Sequence, residues 1–340
     1  MAQSSSRRQF VRTLAGATAA MACHDAPSPN VPTSVTGTVP TRELGKTGVR
    51  VSMIGIGGSH IGKKLSEQQS IQLIRRAIDN GVTFLDNCWD YNEGQSELRM
   101  GKALRDGYRE RVFLMTKLDG RTRDAAAAQL QQSLSRLQTD RLDLVQVHEV
   151  IRPDDPQRCF APGGTMEALI EARKRGQVRF IGFTGHKDPQ IHLAMLAEAD
   201  RHGFEFDTVQ MPLNVMDAHY NSFEANVLPV LLQKRIGVLG MKSMGSGDIL
   251  DSKIVQPAEC LRYALSLPTS VVISGMDSER VLDENLQTAR NFSPLSSEER
   301  SALLARTEDA AREGKHELFK TSHKYDGTIQ NPKWLEQAAL

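Results

Sequence analysis

The sequence lacks the features that mark several large classes of protein. No apolar run reaches the ~18 residues that a transmembrane helix requires, so nothing in the chain predicts a membrane span. Blocks of like charge are also absent, and 42 basic residues stand against 41 acidic ones, which gives a formal net charge of +1. A protein that binds nucleic acid or an anionic membrane surface usually carries a basic patch. We therefore expect neither kind of partner.

Cysteine is scarce as well. The four cysteines, Cys23, Cys88, Cys159 and Cys260, form no C-x-x-C pair and show no metal-ligand spacing. They predict neither a disulfide framework nor a metal site. This pattern fits a protein that folds in the cytosol.

The N-terminal residues are typical of an export signal. Residues 6–12 (SRRQFVR) match a twin-arginine motif, a mildly apolar stretch covers residues 13–21, and residues 20–22 form an A-x-A cleavage site. We predict a signal peptide over residues 1–22, export of the folded protein by the twin-arginine (Tat) machinery, and a periplasmic or other exported location. The alternative is a basic N-terminal helix that stays in place.

A linker follows the predicted cleavage site. Cleavage would leave Cys23 at the new N-terminus, where it is a candidate for a lipid anchor, although the residues before it lack the leucine of a typical lipidation motif. Residues 23–40 hold four prolines among Ser, Thr and Asn, which predicts a disordered linker. Loss of the signal removes three arginines and no acid, so 39 basic residues then face 41 acidic ones and the net charge is −2.

Short apolar or β-branched runs recur about every thirty residues along the rest of the chain, which is the size of a βαβ step. The runs begin near Val51, Val82, Val112, Leu142, Val178, Thr208, Ile236 and Val271. Helical patterns lie between them, as at Ile71, Ile74, Ala77 and Ile78. Eight alternating strand–helix units predict an α/β protein whose parallel sheet closes into a (β/α)8 TIM barrel.

Two additions flank the predicted barrel, which we place at residues 41–312. Residues 42–49 are typical of a β-hairpin with a Lys-Thr-Gly turn, and residues 296–313 open with a capping signal that predicts an extra C-terminal helix. Residues 313–340 form a polar tail with scattered aromatics, a candidate lid over the barrel mouth. A doubly wound sheet is the alternative fold, but the G-x-G-x-x-G that it would carry is matched only in part by residues 55–62.

Four polar residues lie at or just beyond the ends of predicted strands. Asp86, Lys117 and His148 each end an apolar run, and Tyr91 follows Asp86 by five residues. Polar groups at the C-terminal ends of barrel strands converge on the active site. A carboxylate, an ammonium, an imidazole and a phenol together suit proton transfer to a carbonyl oxygen. The alternative is an ordinary Asp–Lys ion pair beside a surface tyrosine.

This arrangement resembles the aldo-keto reductase family. Four segments carry the resemblance in order along the chain: residues 84–101, which begin FLDNCWDY; residues 116–117 (TK); residues 145–148 (VQVH); and residues 284–286 (ENL). The resemblance implies a hydride transfer between a nicotinamide cofactor and an aldehyde, ketone, alcohol or sugar. We expect an NAD(P)-dependent enzyme that acts on CH–OH groups.

The resemblance also implies a role for each of the four polar residues. Tyr91 is the general acid/base, and a free phenol has a pKa near ~10, too high for easy transfer at neutral pH. Lys117 is expected to lower that pKa by stabilising the phenolate. Asp86 is expected to hold Lys117, and His148 to orient the substrate oxygen. Cys88, beside them, is interpreted as a packing residue.

Cofactor contacts come from the same resemblance. They are assigned to Gly57, Thr184, Gln210, Met241, Lys242, Ser243, Gly275, Arg280, Glu284 and Asn285. Gly185 stands where the family holds the nicotinamide amide with an asparagine, and His186 is either its replacement or a solvated loop residue. Arg280 is one residue early for the ribose phosphate of NADP, and Asp277 would suit a free ribose hydroxyl. NADP(H) is favoured by family habit, and NAD(H) is the alternative.

Substrate contacts are predicted from the aromatic residues. Asn87 and Trp89, with Phe319, Tyr325 and Trp334 of the tail, would stack on a sugar face or else pack together as a lid. Because free NADP(H) is a cytosolic pool, we expect a tightly held cofactor that is loaded before export and recycled between two substrates. The competing hypothesis is a non-catalytic nucleotide-binding barrel that acts as a sensor or a subunit.

Overall fold

The structure is a computed structural model that describes residues 38–337. The predicted signal peptide, Cys23 and the predicted linker up to residue 37 lie outside the described residues, as do the last three residues of the tail. Within the described range, no helix combines the length and the apolar character needed to cross a membrane.

A two-stranded antiparallel hairpin, β1 (Thr41–Glu43) and β2 (Arg50–Ser52), precedes the barrel. The hairpin is present as predicted, but its second strand includes Val51, which the repeat pattern assigns to the first barrel strand. Leu44 and Val51 are fully buried in one cluster with Phe84, the first residue of a barrel strand. The hairpin therefore covers the N-terminal end of the barrel, and the opposite end is left for a functional site.

Eight parallel strands form the barrel. They are β3 (Ile54–Gly57), β4 (Phe84–Asp86), β5 (Phe113–Leu118), β6 (Leu142–Val147), β7 (Val178–Thr184), β8 (Thr208–Pro212), β9 (Gly237–Met241) and β10 (Val271–Gly275). Each strand pairs with the next, and β10 pairs with both β9 and β3. The predicted (β/α)8 barrel is confirmed.

Helices connect the strands and surround the barrel. They are α1 (Glu67–Asp79), α2 (Gln95–Ala103), α3 (Arg123–Leu137), α4 (Asp155–Phe160), α5 (Thr165–Lys174), α6 (Pro189–Arg201), α7 (Phe223–Asn226), α8 (Leu228–Lys234), α9 (Pro257–Ser266), α10 (Glu279–Arg290), α11 (Ser297–Ala311), α12 (Leu318–Thr321) and α13 (Gly327–Gln330). The extra helix predicted after the barrel is α11, and its N-cap Ser296 forms a capping box with Glu299. Short 3₁₀ turns lie among these elements.

The tail beyond α11 folds back onto the C-terminal end of the barrel. The Asp326 carboxylate accepts from His186 Nε2 at 2.9 Å, just beyond β7. The Glu149 carboxylate, just beyond β6, accepts from the backbone N–H groups of Gly327 at 2.9 Å and Thr328 at 2.7 Å. These contacts hold the tail over part of the barrel mouth.

A buried histidine beneath the mouth makes folding stability sensitive to pH. His192 on α6 packs between the rings of Phe183 and Phe223, with centroid distances of 5.1 and 4.9 Å. Burial lowers the pKa of His192 from 6.5 to about 4. Between pH 6.5 and about pH 4 the unfolded chain binds a proton at His192 and the folded chain does not. The free energy of unfolding therefore falls by about 1 kcal/mol for each pH unit of acidification in this window.

We expect His192→Leu to flatten the fall in the free energy of unfolding on acidification below pH 6.5. The reason is that the variant lacks the group whose protonation favours the unfolded chain. Denaturant unfolding of both proteins at a series of pH values measures the two slopes. Equal slopes would contradict the assignment.

Candidate active site

Lys117 and Asp86 form a buried ion pair at the C-terminal ends of the paired strands β5 and β4. Their side chains are 1% and 2% exposed. The Lys117 ammonium donates to Asp86 Oδ1, to the backbone oxygen of Asn87 at 2.9 Å and to the Tyr91 hydroxyl at 3.2 Å. All three protons of the ammonium thus have a partner, and the position of the charge next to the phenol is fixed.

The Tyr91 phenol keeps its proton at neutral pH. Burial raises its pKa well above 10, and the negative charge of Asp86 and the acidic groups of Cys88 and Asp90 add to the effect. The lowered pKa implied by the family resemblance is therefore not found for the chain by itself, although the Lys117 ammonium lies beside the hydroxyl. A neutral phenol in this position is a proton donor.

His148 stands edge-on to Tyr91, with ring centroids 5.9 Å apart and planes at 84°. Its Nδ1 lies 2.8 Å from Asp119 Oδ1 and 3.2 Å from Cys88 Sγ. Burial lowers the pKa of His148, so the ring is neutral at physiological pH. Because Nδ1 is engaged by these groups, Nε2 is the nitrogen available to a substrate oxygen.

Asp119 and Arg121 were not predicted from the sequence. Both follow Lys117 at two-residue steps, and alternate residues of an extended chain share one side, which is the signal that would have found them. The Arg121 guanidinium is fully buried, donates to Asp155 at 2.9 Å, and also binds the backbone oxygens of Asp119 and His148. Arg121 therefore connects the C-terminal ends of β5 and β6, where Lys117 and His148 lie.

Gln210 on β8 has the geometry expected of a contact to a nicotinamide amide. Its Nε2 donates to Asp86 Oδ2 at 2.6 Å. Its Oε1 is buried and has no hydrogen-bond partner in residues 38–337. A buried acceptor without a partner is costly, and a carboxamide N–H₂ would satisfy it. The residues present therefore fit a nicotinamide ring next to the Asp86–Lys117 pair.

The family places an asparagine after the fifth strand of the barrel. This chain has Gly185 at that position, and the structure leaves no room there for a side chain. A Cβ at Gly185 would overlap the backbone oxygen of Val150 and the ring of His192. His186 does not replace the asparagine, because its side chain is buried against Asp326 of the tail. The sequence-based proposal for His186 is thus corrected, and His186 is neither a solvated loop residue nor a free amide partner.

The remaining predicted cofactor residues surround the same end of the barrel. Those at or near the last residues of strands are Gly57, Thr184, Gln210, Met241 and Gly275, and Lys242 and Ser243 follow β9. The Thr184 hydroxyl lies 3.9 Å from Met241 Sδ. Lys242 Nζ lies over the rings of Phe319 and Tyr325, at 5.3 and 4.9 Å from the centroids. The tail thus contacts the segment predicted to bind the pyrophosphate.

Opposite charges are already paired where the adenosine end is predicted to bind. Arg280 donates to Glu284 at 2.6 Å on the exposed side of α10. Lys64 donates to Asp277 at 2.7 Å. Asn285 is buried and donates to the Ser274 hydroxyl at 3.0 Å. The resemblance assigns Glu284 and Asn285 to the adenine. Both residues lie on α10, but Glu284 is exposed and Asn285 is buried.

The geometry does not support the predicted substrate contacts of Asn87 and Trp89. Trp89 is fully buried, its Nε1 donates to Gln132 at 2.7 Å, and its ring meets Trp334 of the tail edge to face at 5.8 Å. Asn87 is also fully buried, and its Oδ1 accepts from the backbone N–H of Cys88 at 2.9 Å. The Trp89 ring packs against the tail, which shields its large apolar surface from water.

A (β/α)8 barrel with proton-transfer groups at its C-terminal end is the general form of a barrel enzyme. The profile of the aldo/keto reductase family matches residues 53–259, more than half of the chain, and the chain therefore belongs to the aldo-keto reductase family. Members of this family oxidise and reduce alcohols and carbonyl compounds with nicotinamide cofactors.

Several known proteins are similar to this chain. "Aldo-keto reductase YhdN" of Bacillus subtilis is 32% identical over 228 residues, which is 63% of this chain and 64% of that protein. "Aldo-keto reductase AFTS1" of Alternaria alternata is 27% identical over 260 residues, 64% of this chain and 69% of that protein. The solved holo form of aldo-keto reductase AKR11C1 from Bacillus halodurans shares the fold, with a TM-score of 0.68 at 23% identity, covering 81% of this chain and 99% of that one.

Proposed function

We propose that this protein transfers a hydride between a nicotinamide cofactor and a carbonyl or alcohol substrate, with Tyr91 as the general acid/base. The observation that carries the proposal is the contact of the Lys117 ammonium with both the Asp86 carboxylate and the Tyr91 hydroxyl. A bound nicotinamide would supply or accept the hydride. The substrate class is an aldehyde, a ketone or a sugar.

The chain's own residues account for the proton transfer. In the reducing direction the neutral Tyr91 phenol gives its proton to the carbonyl oxygen. The phenolate that remains is stabilised by the adjacent Lys117 ammonium, whose charge Asp86 holds in place. His148 Nε2 orients the substrate oxygen, since Asp119 and Cys88 occupy the other nitrogen. In the oxidising direction the same groups act in reverse.

NADP(H) is the cofactor that we propose, with NAD(H) as the alternative. Gln210 and Thr184 would hold the nicotinamide end, and Lys242, Ser243 and the segment after β9 would meet the phosphates. At the other end Arg280 and Lys64 carry the positive charge that a ribose phosphate would need, each already paired with an acid. The ratio kcat/KM for NADPH against NADH tests the choice.

We also propose that the protein is exported by the Tat machinery with its cofactor already bound. It then acts in the periplasm or another exported location. A lipid on Cys23 is one way in which the exported protein would be held at a membrane. The support is the twin-arginine sequence of residues 6–12. Replacing Arg7 and Arg8 with lysine tests the export, and the protein should then stay in the cytosolic fraction. Unchanged export would contradict it.

Native mass spectrometry of the periplasmic protein tests the whole proposal. A mass increment equal to NADP or NAD, together with turnover on a panel of aldehydes, ketones and sugars, is the expected result. A protein of mature mass without cofactor would contradict a tightly held cofactor. Bound nucleotide with no turnover on the panel would instead support the non-catalytic sensor or subunit.

Cofactor retention should depend on a latch formed by Asp248, in the segment after β9, and the tail. Asp248 accepts from the Tyr325 hydroxyl at 2.6 Å and from Lys324 at 2.9 Å, and its backbone oxygen accepts from His316 at 2.9 Å. We expect Asp248→Asn to release the cofactor about tenfold faster, because loss of the carboxylate charge weakens the hydrogen bonds that Asp248 accepts from the tail.

Displacement of bound cofactor by an excess of a fluorescent analogue measures that release rate. Glu336→Gln is a matched control, since Glu336 pairs with Arg158 at 2.6 Å on the exposed side of the tail. The control should release the cofactor at the wild-type rate. An unchanged rate in Asp248→Asn would show that the tail does not retain the cofactor.

A further inference from the structure

Four side chains of the types that bind metal ions, His148 among them, meet at the C-terminal end of the barrel. Cys88 and Asp90 follow β4, Asp119 follows β5, and His148 follows β6. One donor atom from each residue lies within 4.8 Å of the donor atoms of the other three. The cluster thus joins the ends of three consecutive strands, and it combines a thiol, an imidazole and two carboxyl groups.

Two oxygens of this cluster lack the partners that buried carboxyl groups require. Asp90 Oδ1 lies 3.7 Å from His148 Nδ1, and within residues 38–337 neither it nor Asp119 Oδ2 has a hydrogen-bond partner. The Asp119 side chain is 1% exposed. A cation bound between these side chains would give both oxygens the partner that they lack.

We propose that Cys88, Asp90, Asp119 and His148 bind one divalent transition-metal ion, with Zn²⁺ the ion that this donor set suits best. Zn²⁺ takes four ligands from Cys, His and Asp in a tetrahedral arrangement, with bonds of roughly 2.0–2.3 Å, so its donor atoms lie roughly 3.3–3.8 Å apart. The distances from His148 Nδ1 to the other three donors, 2.8, 3.2 and 3.7 Å, require shifts of only a few tenths of an ångström.

Charge and protons balance in the bound state. Binding deprotonates the Cys88 thiol and any protonated carboxyl group, and these protons pass to the solvent. The thiolate and the two carboxylates exceed the charge of the ion by one, and the site lies within electrostatic range of the Lys117 and Arg121 cations, which also pair with Asp86 and Asp155. Four protein ligands leave no open position, so the ion is structural and not catalytic.

The metal would also fix the tautomer of His148. A metal on Nδ1 leaves the proton on Nε2, where it can be donated to a substrate oxygen. The binding itself does not rest on the proposed function, because it is measured without turnover. A failure of the metal site and a failure of the oxidoreductase proposal are therefore distinguishable.

Cobalt titration of the chelator-treated, dialysed protein tests the site. The expected result is one equivalent of Co²⁺ bound, with visible d–d bands of a tetrahedral ion and a near-ultraviolet thiolate-to-cobalt band, all lost when Zn²⁺ is added. Proton release should accompany the binding, and Zn²⁺ should raise the melting temperature. Absence of these bands up to low-millimolar Co²⁺ in the wild-type protein overturns the proposal, whatever the variants do.

Two variants locate the metal. Cys88→Ser should lose the thiolate band, and Asp119→Asn should bind Co²⁺ much more weakly. Cys260→Ser is the matched control, because Cys260 is a second buried, free cysteine on α9, far along the chain from the cluster. It should keep the full spectrum. A thiolate band that persists in Cys88→Ser, or wild-type affinity in Asp119→Asn, overturns the assignment.

Discussion

Replacing Tyr91 with phenylalanine should lower kcat about 100- to 10,000-fold, which is the usual contribution of a positioned general acid or base. The variant keeps the aromatic ring beside Lys117 and His148 and loses only the hydroxyl that contacts the ammonium. Cofactor affinity should change little, because Gln210 and Asp86 are untouched. Steady-state rates with a reducible carbonyl compound, together with cofactor titration by fluorescence, measure the two quantities.

Tyr108→Phe is the control for this experiment. Among residues 38–337, the Tyr108 hydroxyl hydrogen-bonds only to Asp79, at 3.1 Å and on the outside of the barrel, so its removal should leave kcat unchanged. If Tyr91→Phe kept more than about a tenth of the wild-type kcat, Tyr91 would not be the general acid/base.

Replacing Arg121 with methionine should lower the free energy of unfolding by about 3–5 kcal/mol, the usual cost of removing one member of a buried ion pair. Arg121 and Asp155 are both fully buried. The variant would leave the Asp155 carboxylate without its cation, and would remove donors from the backbone oxygens of Asp119, His148 and Glu149. Denaturant unfolding monitored by fluorescence measures the change.

Arg123, two residues further on, offers a close comparison. It also pairs with a carboxylate, that of Glu171 at 3.0 Å, but both side chains are nearly half exposed. Arg123→Met should therefore change the free energy of unfolding far less than Arg121→Met does, because water screens an exposed ion pair. Equal losses in the two variants would show that burial does not determine the contribution of Arg121.

The sequence predicted the barrel and its additions because each depends on local patterns. Strand starts at Leu142, Val178, Thr208 and Val271 agree with the structure, since short apolar runs mark buried strands. The first strand was misplaced because the hairpin continues through Val51, and the apolar pattern does not distinguish a hairpin strand from a barrel strand.

The site was harder to predict than the fold. Asp86, Lys117 and Tyr91 lie in contact, because their positions follow from the strand ends. The surroundings of Trp89 and His186 were not predictable, since both are buried by tail residues more than a hundred positions away. The tail has no helical or alternating apolar pattern from which its path could be derived.

The tail is synthesised after the barrel, and this order determines when the barrel mouth is covered. A nascent chain emerges from its N-terminus, and its earlier parts can begin to fold first. The partners of Glu149 and His186, at residues 326–328, leave the ribosome only after every barrel strand. The mouth of the barrel therefore remains uncovered until residues 326–328 have been synthesised. A chain truncated before Asp326 would leave the Glu149 and His186 side chains without these partners.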